Sequence, residues 1–223
     1  MEGALFRDRI EAGQMLADRM REQRYEDPVI LALVRGGVPV ASQVAENLGA
    51  PLDCWLVRKL GVPGQEELAM GAIAEGGFRV MNDEIVQLLQ IYPDVIEDVA
   101  RKELAELNRR AEIYRSHREP VQIAGRTAIL VDDGLATGAS MRAAVQSAYA
   151  KGAAKCVVAV PVGAAESCEI LRHEADEVIC LFTPEPFASV GQWYERFDQT
   201  SDEEVRSLLG RFRQDHPAGH SAR

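Results

Sequence analysis

Five short apolar runs, separated by helical patterns, restrict the folds that this chain can adopt. The runs are VILALV at 29–34, LDCWLV at 52–57, TAILV at 127–131, KCVVAVPV at 155–162 and DEVICLFT at 176–183. Most of them are apolar throughout, which is typical of strands that are covered on both faces in a parallel sheet. The sequence therefore predicts an α/β fold with a doubly wound, mainly parallel sheet flanked by helices.

The segments before and between these runs show the spacing of apolar residues that is typical of helices. An amphipathic helix is predicted over 4–24, and shorter helices are predicted over 38–48, 138–151 and 165–173. A longer helix is predicted ahead of the third run, where one face carries Ile96, Ala100, Leu104, Leu107, Ala111 and Tyr114. Repeated alternation of strand and helix implies right-handed crossovers between parallel strands.

Length and composition favour one domain. With 223 residues, of which 47% are hydrophobic, the chain can bury a full core. We expect a single domain over 1–213, with its core at about 25–183 and a C-terminal hood at 184–200. The residues from 214 to 223 are predicted to be disordered.

Charge and motif counts exclude several classes of function. A net charge of −10 argues against nonspecific nucleic-acid binding, although local amides and arginines can still hold a small anion. The charged N-terminus lacks an apolar signal core and no run is long enough to span a membrane, so a cytoplasmic protein is expected. The four histidines have no metal-ligand spacing, and the four cysteines form no C-x-x-C pair.

The segment after the second apolar run differs from the rest. RKLGVPGQEELAMGAIAEGG is rich in glycine and weakly periodic, so a long loop is predicted, with a hairpin through 71–80 as an option. A loop of this length inside a compact domain is usually functional. We expect a flexible lid at 61–77, in which Glu66 and Glu67 are either acid/base candidates or ordinary solvated residues.

The segment TAILVDDGLATGASMRAAV carries the most chemistry. A buried strand ends at Val131, two aspartates follow, and a small-residue turn then opens a helix. The turn contains Ala136, Thr137, Gly138, Ala139 and Ser140. Backbone amides at a helix N-terminus bind phosphate, while Asp132 and Asp133 can accept hydrogen bonds from vicinal hydroxyls. Together these groups suit a ribose 5-phosphate.

Two other interpretations of this segment compete with that one. It could be an ordinary strand-to-helix loop with a capped helix and solvated aspartates. It could also belong to a phospho-receiver domain, in which acidic residues hold Mg²⁺. A receiver would place its acids on different strands and would leave the Thr-Gly turn unexplained. The ribose-phosphate interpretation is therefore favoured.

Residues 128–140, AILVDDGLATGAS, resemble the signature of the type I phosphoribosyltransferases, which bind phosphoribosyl pyrophosphate (PRPP). The chain is most similar to a group of bacterial predicted phosphoribosyltransferases. This resemblance implies PRPP and a small nitrogen heterocycle as substrates, pyrophosphate release, and Mg²⁺ held by Asp132 and Asp133 directly or through water. It also implies a role in nucleotide metabolism. Whether the chain forms a homodimer is left open.

The resemblance also implies a pyrophosphate site at Arg35, Gly36 and Gly37, directly after the first strand. Glycine allows backbone amides to approach phosphate closely, and a non-proline cis peptide is an option here. A plain Gly-Gly turn is the structural alternative. Arg58 and Lys59 directly follow the second run, at the expected end of its strand, and resemble the family's pyrophosphate-neutralising residues. The catalytic candidates are thus Asp132, Asp133, Arg35 and Lys59.

The hood holds the candidates for base recognition. Phe187, Trp193 and Tyr194 follow the last strand, and a stacking ring is a natural partner for a flat heterocycle. Packing against the core is an equally good explanation for any one of these rings.

The sequence identifies neither the acceptor base nor whether the chain is catalytically active. Hypoxanthine and guanine enzymes of the family carry an acid before Thr-Gly and a lysine after it, where this chain has Ala136 and Ala139. This departure weakens assignment of a 6-oxopurine. A non-catalytic PRPP-binding regulator on the same fold is the alternative function. A ribose-phosphate hydrolase or pyrophosphokinase would need a further nucleotide site that the sequence does not display.

Overall fold

We describe residues 3–115 and 119–212 of the chain from a computed structural model. The strands are β1 Pro28–Leu33, β2 Leu52–Trp55, β3 Val57–Val62, β4 Gln65–Ala74, β5 Arg79–Met81, β6 Thr127–Val131, β7 Lys155–Val162 and β8 Glu177–Phe182. The helices are α1 Arg9–Met20, α2 Gly37–Leu48, α3 Asp83–Leu88, α4 Pro93–Arg115, α5 Ala139–Ala150, α6 Ala165–Arg172 and α7 Asp202–Arg211. The predicted tail at 214–223 lies outside the described residues.

A five-stranded parallel sheet forms the centre of the fold. Its strand order is β2-β1-β6-β7-β8, and every neighbouring pair runs parallel. One buried apolar cluster lies on each face of this sheet, as the continuously apolar runs require. The predicted fold class and crossover helices are confirmed. The second apolar run, predicted as one strand, divides because β2 ends at Trp55 and Val57 begins β3 of a separate sheet. The carboxyl ends of the five parallel strands meet at one edge, where ligands bind in such folds.

Local signals in the sequence explain where several helices begin and end. The Asp8 side chain accepts hydrogen bonds from the amides of Ile10 and Glu11, which caps α1. Ser201 caps α7 through the amide of Glu204. Gly49 ends α2 in a left-handed conformation with φ of 62°, which glycine adopts without steric cost. Helix α1 is shorter than the predicted 4–24 because this cap sets its first turn.

The prediction of a long loop at 61–77 is wrong. Strands β3, β4 and β5 form an antiparallel sheet over this segment, and the turn between β4 and β5 matches the hairpin option. Met70 and Ile73 are fully buried in the main cluster. A Cβ on Gly71 would collide with the backbone of β5, so this glycine permits close strand approach and does not break the strand.

The hood contains little regular structure. Between β8 and α7 it forms a single short 3-10 helix at Gly191–Trp193, and Tyr194 bridges to Phe6 of the N-terminal segment. Their rings lie in a small separate core. Over the two described stretches of chain, no helix combines the length and apolarity needed to cross a membrane.

Candidate active site

Two loops at the carboxyl edge of the sheet pack directly against each other. The loop after β1 contains the cis peptide Val34–Arg35, which was an option from the sequence. A Cβ on Gly36 would overlap the Asp133 carboxylate, and a Cβ on Gly37 would lie 2.6 Å from the Val131 carbonyl oxygen. The glycines are therefore required by space, and they bring the two predicted ligand loops into contact.

The two aspartates have different surroundings. The Asp133 amide donates to Asp132 Oδ1 at 2.9 Å, and Asp133 Oδ2 accepts from Arg9 Nε at 2.7 Å. Burial, together with the neighbouring Asp133 charge, holds the pKa of Asp132 well above its usual range. Burial also raises the pKa of Asp133, and Arg9 opposes that shift. Asp133, which is paired with Arg9, is therefore favoured as the ionised member of the pair, and Asp132 is favoured as the protonated member.

Arg9 is a site residue that sequence reasoning missed. Its guanidinium contacts the Asp133 carboxylate, donates from Nη1 to the Asp198 carbonyl oxygen at 2.7 Å and stacks on Phe197 with its Cζ 3.9 Å from the ring centroid. It thereby joins α1, the hood and the aspartate loop. No local signal marks it, because a charged residue in the first turn of an amphipathic helix is usually solvated.

We expect Arg9→Met to destabilise the protein by about 3 kcal/mol at neutral pH, since it leaves Asp133 as a mostly buried carboxylate without its cation. Because burial raises the pKa of Asp133 in the folded state, the cost should be greatest at neutral pH. It should shrink as the pH falls from neutral through the raised pKa of this carboxyl, because the group is then protonated and no longer needs a cation. Chemical denaturation of both proteins across this range measures the effect. Arg7→Met, which removes a more exposed arginine of the same segment, is the control, and a pH-independent difference would contradict the explanation.

The phosphate turn, Ala136–Ser140, opens α5 at the same edge. Gly138 has φ of 74° and no side chain caps the helix. The first amides of any α-helix have no intrahelical acceptor, so at α5 they are not satisfied by a side-chain cap either. Both hydroxyl-bearing residues of the turn, Thr137 and Ser140, are exposed. The turn is held from behind by α6, where the Ser167 hydroxyl donates to the Ala136 carbonyl oxygen at 2.5 Å. Its amides and hydroxyls are open to an anion.

Arg35 and Arg58, two of the predicted pyrophosphate cations, are paired with carboxylates. Arg35 pairs with Asp202 of α7 at 3.5 Å, and Asp202 also accepts from the Tyr114 hydroxyl at 2.8 Å. Arg58 pairs with Glu103 of α4. Arg58 and Lys59 line a cavity of about 560 Å³ that extends to Val34 beside the Arg35 loop. The fold brings these cations near the Arg35 loop, although Arg35 itself is turned toward α7.

Two of the three hood rings do not fit the predicted stacking role. Trp193 and Tyr194 are 6% and 5% exposed and belong to the small core with Phe6. The Tyr194 hydroxyl donates to the Asp133 carbonyl oxygen at 2.6 Å, so this residue positions the aspartate loop from below. Only Phe187 is partly exposed, with its ring centroid 6.3 Å from that of Trp193. Packing, the structural alternative, explains Trp193 and Tyr194.

Replacement of the hood rings should separate packing from recognition. We expect Trp193→Ala to cost about 3–5 kcal/mol of stability because it empties a buried site. Phe187→Ala should leave stability nearly unchanged and weaken acceptor binding by about 1–3 kcal/mol if that ring stacks on a heterocycle. Melting temperature and acceptor KM are the two measurements. An equal change of both quantities in Phe187→Ala would assign this ring to packing as well.

Comparison with known proteins is consistent with this geometry. A family model described as the phosphoribosyl transferase domain matches residues 7–190. A Mycobacterium tuberculosis protein named "Putative phosphoribosyl transferase", found in strains CDC 1551 and H37Rv, is 50% identical over 211 residues. That match covers 95% of this chain and 48% of the relative, so the chain spans about half the length of the curated relatives that it matches.

A solved structure shows the same fold. The crystal structure of TT1426 from Thermus thermophilus superposes with a TM-score of 0.84 at 43% sequence identity. The superposition covers 93% of this chain and 98% of that chain. The match therefore includes the central sheet and its flanking elements together.

Proposed function

The chain belongs to the phosphoribosyltransferase family, and we propose that it transfers the 5-phosphoribosyl group of PRPP to a ring nitrogen of a nucleobase-like heterocycle, with release of pyrophosphate. The observation that carries this proposal is the direct contact of the Gly36–Gly37 loop with Asp132 and Asp133, beside the open turn of α5. We further propose that residues 1–213 form one catalytic domain.

The 5-phosphate is proposed to bind at the phosphate turn. Uncapped amides at the start of α5 and the exposed hydroxyls of Thr137 and Ser140 provide donors, and the positive end of the helix favours a dianion. Ser167 fixes the rear of the turn. These donors lie on backbone that is already in place, so binding requires little reorganisation.

The ribose hydroxyls are proposed to bind at Asp132 and Asp133. Carboxylates accept hydrogen bonds from both hydroxyls of a diol, and they can hold Mg²⁺ directly or through water. Within residues 3–115 and 119–212, no group of three or more His, Cys, Asp or Glu side chains is placed to hold a metal ion. The two aspartates would share such an ion with ligands from substrate and water. When bound, Mg²⁺ would neutralise charge on the leaving pyrophosphate.

The leaving group is proposed to be stabilised by the Arg35–Gly37 loop, Arg58 and Lys59. Backbone amides approach closely at the glycines, and cations placed where charge develops lower the barrier most effectively. When pyrophosphate binds, Arg35 would leave Asp202 and pair with the ligand. Arg58 would leave Glu103 in the same way. Breakage of the C1–O bond produces a cation-like ribosyl centre, which the ring nitrogen of the acceptor then attacks.

The test is incubation of the protein with PRPP, Mg²⁺ and a panel of nucleobases and related heterocycles, with measurement of pyrophosphate release. Release that depends on one acceptor class supports the transferase. Tight PRPP binding without release for any acceptor would favour the alternative, a PRPP-binding regulator. Absence of PRPP and ribose 5-phosphate binding, measured by calorimetry, would reject both functions.

A further inference from the structure

Two cysteine side chains converge behind the phosphate turn. Cys168 lies on α6 and Cys180 lies on β8, and both are free thiols. A Cβ on Gly163 would lie 2.9 Å from Cys168 Sγ and 3.3 Å from Cys180 Sγ. The two sulfurs therefore border the same small space, which exists because residue 163 has no side chain. Cys180 Sγ also donates to the Phe182 carbonyl oxygen at 3.2 Å, which fixes its position on β8.

The two thiols differ in access and in acidity. Cys168 is fully buried, whereas Cys180 is partly exposed on β8, which is the edge strand of the five-stranded sheet. The neighbouring Cys180 thiol lowers the pKa of the Cys168 thiol, and the proximity of Cys168 together with burial raises the pKa of Cys180. One sulfur is thus favoured as the nucleophile while the other is closer to solvent.

We propose that Cys168 and Cys180 form a dithiol oxidation site that reacts with an oxidant of the peroxide class and closes to an intramolecular disulfide. Each thiol loses one hydrogen, an S–S bond forms, and the two electrons cleave the O–O bond of hydrogen peroxide to give two molecules of water. Reduction by an external dithiol reverses the step. The remaining cysteines, Cys54 and Cys156, are buried at other places in the core.

The position of this pair connects it to ligand binding. Ser167, which precedes Cys168, donates to the Ala136 carbonyl oxygen of the phosphate turn, and Gly163 bridges to Leu135 just before that turn. Closing the disulfide would draw α6 toward β8 and weaken the support of the turn. Loss of one hydrogen bond of this kind should lower ribose 5-phosphate affinity roughly fivefold. This second effect rests on the proposed function.

The experiment treats the reduced wild-type protein with hydrogen peroxide, alkylates it under denaturing, non-reducing conditions and maps the peptides by mass spectrometry. We expect a crosslink between the Cys168 and Cys180 peptides that dithiothreitol removes, while Cys54 and Cys156 are alkylated. Met15, which is 38% exposed, should become sulfoxide and so report that the oxidant was active. Cys180→Ser should abolish the crosslink.

The proposal is overturned if Met15 is oxidised while Cys168 and Cys180 both remain alkylatable. It is also overturned if their crosslinks join separate molecules, as mixed isotope-labelled protein would reveal. Ribose 5-phosphate binding is measured on the reduced and oxidised samples by calorimetry. Failure of the reduced protein to bind would count against the proposed function alone, because disulfide formation is scored without any ligand.

Discussion

The double variant Asp132→Asn with Asp133→Asn is expected to lose pyrophosphate release by at least about 10²–10³-fold, the range found when preorganised charge-stabilising groups are removed. The two side chains lie where β6 ends, in contact with the Gly36–Gly37 loop. Neutral amides would still occupy the space, but they would be weaker ligands for Mg²⁺ and weaker acceptors of hydrogen bonds from the two ribose hydroxyls. Acceptor-dependent pyrophosphate release, measured at saturating PRPP, tests this expectation.

The double variant should still fold. The stability of the single variant Asp132→Asn, compared with that of the wild type, provides the control. Burial raises the pKa of Asp132 in the folded protein. The stability that this carboxyl contributes is therefore fully present below its unfolded pKa, about 3.9. That stability is lost as the pH rises through the folded pKa, because the buried group then has to ionise. Asp132→Asn alone removes this loss. We expect its melting temperature at neutral pH to equal or exceed that of the wild type. A well-folded double variant with near-wild-type turnover would remove the aspartates from the mechanism.

Gly36→Ala should produce the second large effect, a loss of PRPP affinity or turnover on the order of 10²-fold, as expected for displacement of a reacting group by about 1 Å. Gly36 has φ of −59°, so alanine is acceptable to the backbone itself. The added methyl would instead overlap the Asp133 carboxylate and displace it from the position in which we propose that it binds the ribose hydroxyls. PRPP titration by calorimetry and steady-state kinetics measure the change.

Gly49→Ala is the matched control at the other end of the same helix. Its φ is 62° and a Cβ would meet no atom within 4 Å, so this variant should lower the melting temperature by the cost of a left-handed alanine and leave PRPP binding unchanged. If Gly36→Ala bound PRPP as the wild type does, the contact between the two loops would have no role in the site.

The central sheet and the phosphate turn were predictable because their signals are local. Continuous apolar runs identify strands buried on both faces, and the strand, two acids and small-residue turn specify Asp132, Asp133 and the start of α5. Apart from the optional hairpin through 71–80, the antiparallel sheet of β3, β4 and β5 was not predicted. Its glycines serve close strand approach at Gly71, and single-sequence patterns do not distinguish that use from a flexible loop.

The roles of the hood residues depended on tertiary contacts. Composition allowed Trp193 and Tyr194 to be either stacking platforms or packing rings, and the fold buries both beside Phe6 from the other end of the chain. The same long-range folding gives Asp133 its partner Arg9 and gives Arg35 its partner Asp202. None of these pairs leaves a trace in local sequence.

The sequence by itself determined the parallel sheet, the family resemblance and the position of the turn that opens α5, since periodicity and turn chemistry act over a few neighbouring positions. Tertiary structure alone decided which charges meet, because Arg9 and Asp133 are separated by 124 residues and approach only when the strands assemble. It also decided that Cys168 and Cys180 share one space at Gly163. Burial and proximity set the pKa of each group, and both arise only in the folded chain.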